Sequence, residues 1–197
     1  MAVTLAALFG FAAGAEANPV LDFRQGFVGG GTFTWHVDGS FSGTDIPIDA
    51  LFVSGAPLHN GGNLVTNGFL NFSTGGMGGV NSITIEGCVL NVCGTLLSGS
   101  FLSFEFDPAV GDFKGAGFDV KHPDLLLALG LDPNTPFSFF GFVIATAGGF
   151  TPGHSDDVIS VDVRNTAVPE PTSLVLLGTG LLGLGAAARR RMRQKRR

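Results

Sequence analysis

Tyrosine is absent from this chain of 197 residues, tryptophan occurs once, and there are only two cysteines. Two thiols make a poor zinc site, and the four histidines (His36, His59, His122, His154) lack metal-ligand spacing. Cations are scarce in the body of the chain. Between Asn18 and Ala167 only Arg24, Lys114, Lys121 and Arg164 stand against fourteen acidic residues, a net charge of −10. Such a surface argues against nucleic acid as a partner, because neutralising phosphates requires clustered cations. It suits an extracellular solute or a matrix component. The nucleophile elbow G-x-S-x-G, the metalloprotease H-E-x-x-H and the phosphate-binding P-loop are all missing. Carboxylates are almost all that is left for catalysis.

What the body does contain is period-2 alternation. Phe33, Trp35 and Val37 alternate with Thr32, Thr34, His36 and Asp38, and Ile83 and Ile85 with Thr84 and Glu86. Leu102, Phe104 and Phe106 alternate with Ser103 and Glu105, and Ile159, Val161 and Val163 with Ser160, Asp162 and Arg164. This pattern predicts strands covered on one face. The stretch Phe137 to Ala147 is more continuously apolar, as a central strand would be. Glycine clusters such as Gly29-Gly30-Gly31 and Gly75-Gly76-Met77-Gly78-Gly79 mark loops between the runs. One segment departs from the pattern. Pro123 to Leu129 has proline at a plausible first helical position, Asp124 in the first turn and Gly130 as a stop, which predicts a helix of about two turns over an open end of the sheets. The expected class is therefore all-β, an antiparallel β-sandwich, jelly-roll-like or immunoglobulin-like, with one short helix. The pattern does not choose between those topologies, and no internal repeat points to a solenoid.

Candidate chemistry in the body is sparse. Glu86 and Glu105 are the carboxylates a glycosidase would need, although solvated acids on a polar strand face are the simpler reading. Asp107 and Asp112 flank a turn, and Asp156-Asp157 follow Gly153-His154-Ser155, so calcium is the most plausible ion for these hard oxygen ligands. Neither pair has the spacing of a dedicated calcium loop, and the expectation is no obligatory cofactor. Trp35 could stack on a sugar, but its place beside Phe33 and Val37 favours core packing. Cys88 and Cys93 fit an exported protein as a disulfide closing a short loop, worth roughly 2 kcal/mol. Free thiols are the alternative, and the C-x4-C spacing is too wide for a redox pair.

Both ends of the chain carry the marks of transport. Val3 to Ala13 is apolar and leads to Ala13-Gly14-Ala15 and Ala15-Glu16-Ala17, the small-x-small form that signal peptidase accepts, so residues 1–17 read as a signal peptide cleaved after Ala17. No Lys or Arg precedes the apolar run, so either the signal is weak or the true start lies upstream of Met1. A buried first strand is the competing reading. At the other end, seven of the eleven basic residues (Arg189, Arg190, Arg191, Arg193, Lys195, Arg196, Arg197) follow the 17 uncharged residues from Thr172 to Ala188. As a helix that segment reaches about 25 Å, slightly short of a ~30 Å hydrocarbon core. Snorkelling basic side chains relieve the deficit and hold the C-terminus on the cytoplasmic side. A single transmembrane helix is expected there. Gly178-Thr179-Gly180-Leu181-Leu182-Gly183 matches the dinucleotide pattern by accident, since that fingerprint needs an acidic residue about 20 positions later and the sequence runs into arginines before that distance.

Val168-Pro169-Glu170-Pro171, the Gly/Leu-rich segment and the Arg-rich end together resemble the PEP-CTERM sorting signal of Gram-negative bacteria. The resemblance covers about 30 of the 197 residues. It implies that an exosortase, a membrane-embedded cysteine transpeptidase, recognises the Pro-Glu-Pro element, and that the product goes to the cell surface or the exopolysaccharide matrix. The two prolines and the restricted Glu170 between them form an extended strip that a processing enzyme can grip. An ordinary tail anchor is the bland alternative. The resulting division is a signal peptide (1–17), an exported β-domain (18–167) and a sorting segment (168–197). Partners implied are the exosortase-type transpeptidase, the membrane as a transient anchor, and exopolysaccharide. Three functions remain in play: a structural or adhesive surface protein, a carbohydrate-binding module, and a weak carboxylate-dependent glycoside hydrolase. Ice binding needs a regular threonine array, and Thr32-x-Thr34 alone does not supply one.

Overall fold

The computed structural model describes residues 18–26, 29–146, 148, 150–168 and 179. The strands are β1 (Val20–Arg24), β2 (Thr32–Trp35), β3 (Phe41–Pro47), β4 (Ala50–Ser54), β5 (Gly61–Leu64), β6 (Thr66–Ser73), β7 (Ser82–Val89), β8 (Val92–Asp107), β9 (Asp112–Lys121), β10 (Phe137–Thr146) and β11 (His154–Ala167). A helix, α1 (Pro123–Leu129), lies between β9 and β10. Neighbours are hydrogen-bonded in the order β10-β9-β8-β7-β6-β3-β2-β11-β1-β4-β5. Every pairing is antiparallel. The all-β antiparallel class with one short helix is thus as the alternation implies.

The ladder also closes. β10 pairs with β11 as well as with β9, so eight strands from β11 round to β10 form a ring. β11 is long enough to hold the closure. Its start, 154–157, pairs with β2 and its end, 162–166, with β1, while β10 takes the opposite edge from Val158 to Ala167. The two walls of the sandwich are therefore joined at both sides, which leaves few unpaired edges.

Phenylalanine fills the interior. Phe41 on β3 meets Phe113 on β9 at 5.3 Å, and Phe72 on β6 meets Phe142 on β10 at 5.2 Å; each pair lies four strands apart around the ring. Rings this large need gaps opposite them. Gly43 faces Phe72 so closely that a Cβ there would run into the ring, and Gly115 makes room for Phe101. Helix α1 closes one end. Pro123 starts it, the His122 ring accepts the Asp124 N–H at 3.2 Å, and Gly130 stops it with φ 78°. Leu125, Leu126 and Leu129 point inward to join the core.

Three expected strand faces are corrected by local geometry. Val37 lies past the end of β2 in a turn and is 67% exposed. Leu102 is the extra residue of a β-bulge between Phe101 and Ser103, which turns it outward while Phe101 takes the core position. Ile159 is likewise the extra residue of a bulge in β11, so Val158 is buried in its place. No helix among the described residues is long and apolar enough to cross a membrane. The segment Thr172 to Ala188, where the sequence places such a helix, lies outside the described residues except for Thr179.

Candidate functional site

The last strand leads directly into the tail. β11 ends at Ala167, whose N–H bonds to the Pro19 carbonyl at 3.2 Å, and the Val168 N–H bonds to Pro136 O at 2.9 Å. Val20 stands opposite Thr166 in the β1–β11 ladder. The beginning of the β-domain and the beginning of the tail therefore emerge side by side, at the end of the molecule that α1 covers. Pro169, Glu170, Pro171 and the basic residues Arg189 to Arg197 lie outside the described residues, as do residues 1–17 with the expected signal peptide.

Cys88 and Cys93 are joined by a disulfide. They face each other across the β7–β8 hairpin, one step behind the Val89–Val92 pair that closes a two-residue turn. Leu90 and Asn91 both have positive φ, 51° and 63°, as a primed hairpin turn requires. A leucine in the left-handed region is disfavoured by about 1–2 kcal/mol. The cross-link holds the two strands together behind it.

The carboxylates singled out from the sequence do not converge. Glu86 sits opposite Thr95, whereas Glu105 sits ten residues further along β8, opposite Lys114. At about 3.3 Å per residue they are roughly 30 Å apart along the strand. A glycosidase pair needs less than about 10 Å. The geometry removes these two residues as a catalytic pair. Asp107 and Asp112 do face each other across the β8–β9 turn, where Asp107 Oδ1 accepts the Ala109 N–H at 3.0 Å. Asp156 uses its Oδ1 to accept the Asp157 N–H at 2.9 Å. Among the described residues no three His, Cys, Asp or Glu side chains gather as a metal site. Trp35 is half-buried, stacked on Phe41 at 5.8 Å and edge-on to Phe106 at 5.4 Å. It packs against the core rather than standing free as a sugar platform.

Two other polar groupings come from the fold. Asp38 ties the β2–β3 turn to the glycine-rich loop: it accepts from Ser40 Oγ at 2.6 Å, from the Ser40 N–H at 3.0 Å and from the Met77 N–H at 2.6 Å. The Ser40 hydroxyl, these backbone donors and nearby His36 hold its carboxyl down to about 2. Beside this loop an open groove of about 360 Å³ is lined by His36, Ser42, Thr44, Asn71, Ser73 and Thr84 among others. Its wall is rich in hydroxyl and amide groups, the chemistry that hydrogen-bonds a polyhydroxylated ligand.

The second grouping is buried. Lys121, Asp119 and Asn165 are all inside, with the Lys121 and Asp119 side chains at 0% exposure. Lys121 Nζ donates to Asp119 Oδ1 and, at 3.1 Å, to Asn165 Oδ1. The Phe137 ring lies 4.8 Å from Nζ. Asn165 Nδ2 donates to Val163 O at 2.8 Å and Leu21 O at 3.2 Å. Burial pushes the lysine ammonium down to about 8 and pushes the Asp119 carboxyl up, the mutual attraction offsetting each only in part. Sequence reasoning passed over all three residues. The available signal was parity: Phe113, Gly115 and Gly117 share the inner face of β9, and Asp119 and Lys121 continue the same odd-numbered series.

No curated protein and no solved structure matches the chain. A family model described as the PEP-CTERM protein-sorting motif matches residues 167–191. That match begins on the final residue of β11, so the chain carries the PEP-CTERM sorting signal joined to the last strand of an all-β domain, a signal that indicates an exosortase-processed protein of the cell surface or exterior.

Proposed function

We propose that the β-domain is a non-enzymatic cargo with a structural or adhesive role in the extracellular matrix. In this reading residues 1–17 direct export, and the segment Thr172 to Ala188 holds the protein briefly in the inner membrane with its arginines in the cytoplasm. The exosortase then acts at Pro169-Glu170-Pro171. The observation that carries the reading is the sorting-motif match at 167–191, set directly behind a closed β-domain. Closure suits an exported protein, because unpaired edges invite aggregation outside the cell. The net charge of −10 between Asn18 and Ala167 suits a solvated matrix. Replacing Pro169, Glu170 and Pro171 by alanine in the native host is the test. The expected outcome is full-length protein stranded in the inner-membrane fraction. Processing at the wild-type rate would overturn the reading.

A carbohydrate-binding role is favoured by one observation, the hydroxyl- and amide-lined groove beside Asp38. A glycan array with and without chelator separates the two. Specific binding that Asn71→Ala abolishes assigns the groove to exopolysaccharide, and chelator sensitivity would add calcium to it. The absence of any bound glycan leaves the structural role.

A further inference from the structure

From the juxtaposition of Lys121, Asp119 and Asn165 in the closed end of the barrel, we infer that the domain cross-links itself through an amide bond between Lys121 Nζ and Asn165 Cγ, with Asp119 as the proton carrier. A lone buried ion pair is an expensive way to fill a core, because both charges lose their hydration. This one is also incomplete: Asp119 Oδ2 is buried with no hydrogen-bond partner. The arrangement is easier to understand as reactants than as a salt bridge. It brings together an amine, a carboxamide and a carboxyl group, all enclosed by apolar side chains.

The chemistry balances without any co-reactant. Within the Lys121–Asp119 hydrogen bond the ammonium passes one proton to the carboxylate, which gives a free amine and a carboxylic acid. Burial favours that neutral pair, since it lowers the proton affinity of the lysine and raises that of the aspartate. The amine lone pair then attacks Asn165 Cγ, and the Cγ=Oδ1 electrons move onto Oδ1. Asp119 donates its proton to Oδ1 and recovers one from the attacking nitrogen. Collapse of the tetrahedral carbon returns the Oδ1 proton to Nδ2 and breaks the Cγ–Nδ2 bond; Nδ2 leaves as ammonia, which takes the remaining proton from Asp119 and departs as ammonium, so that Asp119 is again a carboxylate. One amide is exchanged for another and one ammonia is released. Nothing is oxidised or reduced.

Three features of the site serve this step. Asn165 cannot swing away, because its Nδ2 is held by the Val163 and Leu21 carbonyls. The orientation also presents Oδ1 to the lysine. The Phe137 ring and the surrounding core exclude the water that would compete as a nucleophile or level the proton affinities. Asp119 is the less suitable acceptor despite its contact with Nζ, since it lies two residues away on the same strand and a carboxylate is a poor acyl donor. The bond would pass across the inner face of β10, joining β9 directly to β11, which the ladder links through β10.

The test is peptide mapping by mass spectrometry of the full chain, isolated from its host and denatured, with Cys88–Cys93 reduced. The expected product is a branched peptide joining the segments around Lys121 and Asn165, lighter than the two linear peptides by one ammonia. Asp119→Asn, which preserves shape, should yield the linear peptides at full mass. Recovery of linear peptides from the wild type would overturn the inference, as would a Lys121–Asp119 link formed with loss of water. Retention of the branched peptide in Asp119→Asn would overturn the role given to the aspartate. The wild-type measurement stands even where a variant fails to fold.

Discussion

Phe113 is the residue on which the interior should depend most. Its side chain is fully buried, and its ring lies 5.3–6.0 Å from those of Phe33, Phe41, Phe72, Phe101, Phe104 and Phe142. Those six rings come from β2, β3, β6, β8 and β10, so Phe113 on β9 touches both walls. Truncating a buried phenylalanine to alanine typically removes about 3–5 kcal/mol, the transfer contribution plus the cavity left behind. The ring contacts place Phe113→Ala near the top of that range, at about 4–5 kcal/mol, since each aromatic pair adds about 0.5–1.5 kcal/mol but neighbours do not add independently. Phe104 is the internal control. It lies on β8, is 44% exposed and, among the rings of the described residues, meets only those of Phe41 and Phe113, so Phe104→Ala should remove about 1–2 kcal/mol. Phe113→Leu, which keeps most of the volume, should fall near 1.5 kcal/mol. Equilibrium urea unfolding measures all three. Trp35 is the chain's one tryptophan and is stacked on Phe41, so its fluorescence reports the loss of the core. With a total stability of about 5–15 kcal/mol expected for such a domain, Phe113→Ala should leave it close to unfolding. If Phe113→Ala proves no more damaging than Phe104→Ala, the assignment of Phe113 to the centre of the core is wrong.

Two further outcomes follow from the polar ties. Asp38 is held at about 2 when folded, below its ordinary value of 3.8, so its contribution is fully present above about pH 4 and is lost as pH falls toward 2. Hydrogen exchange at the Met77 amide should accelerate in that window, and Asp38→Asn should remove this pH dependence; a Met77 amide insensitive to acid would contradict the tie. Cys88→Ser with Cys93→Ser should lower stability by roughly 2 kcal/mol in urea and should loosen the amides of the β7–β8 hairpin before the rest. Unchanged hairpin exchange would mean that the turn at Leu90-Asn91 holds itself.

The features that local chemistry encodes were the legible ones. Helix α1 was readable to the residue because proline at its start and glycine at its stop act within a few positions. The β7 face, with Ile83 and Ile85 in and Glu86 out, was readable because nothing interrupts that strand's own alternation at those residues. Leu102 and Ile159 misled because a bulge shifts parity, and a bulge is decided by the partner strand. β9 shows the limit most clearly. Taken locally, Phe118-Asp119-Val120-Lys121 would bury the phenylalanine and valine and expose the charges. The structure does the reverse, leaving Phe118 55% and Val120 61% exposed. Parity is set at the other end of the strand, where Phe113 enters the aromatic cluster, and an unbroken strand carries that choice through to Lys121. Closure of the ring depends on β10 and β11 meeting, which no pattern within either strand specifies. The sorting motif was legible for the opposite reason, since it must be read by another protein as a short linear signal.

The position of the tail gives the buried cluster a physical context. Any pull on the sorting segment enters the domain through β11, and the first residues it loads are Ala167, Thr166 and Asn165. β11 resists by its hydrogen bonds to β10 on one edge and to β1 on the other. Those bonds exchange with water once the end of a strand frays, so a sustained pull would open them in succession from Ala167 inward. A covalent bond at Asn165 would stop that succession two residues from the end of the strand. It would transfer the load to Lys121 on β9, a strand already paired to β8 along its full length. α1 covers the same end, and its start at Pro123 follows Lys121 by two residues, so the cross-link, the helix cap and the tail junction occupy one pole. Turns 36–40, 75–79 and 107–111 lie toward the other pole, as the strand directions require. On the proposed reading, in which one end is held in the membrane during processing, strength belongs at the tethered pole and accessible surface at the far one. The Asp38 loop and the polar groove beside it lie toward that far pole.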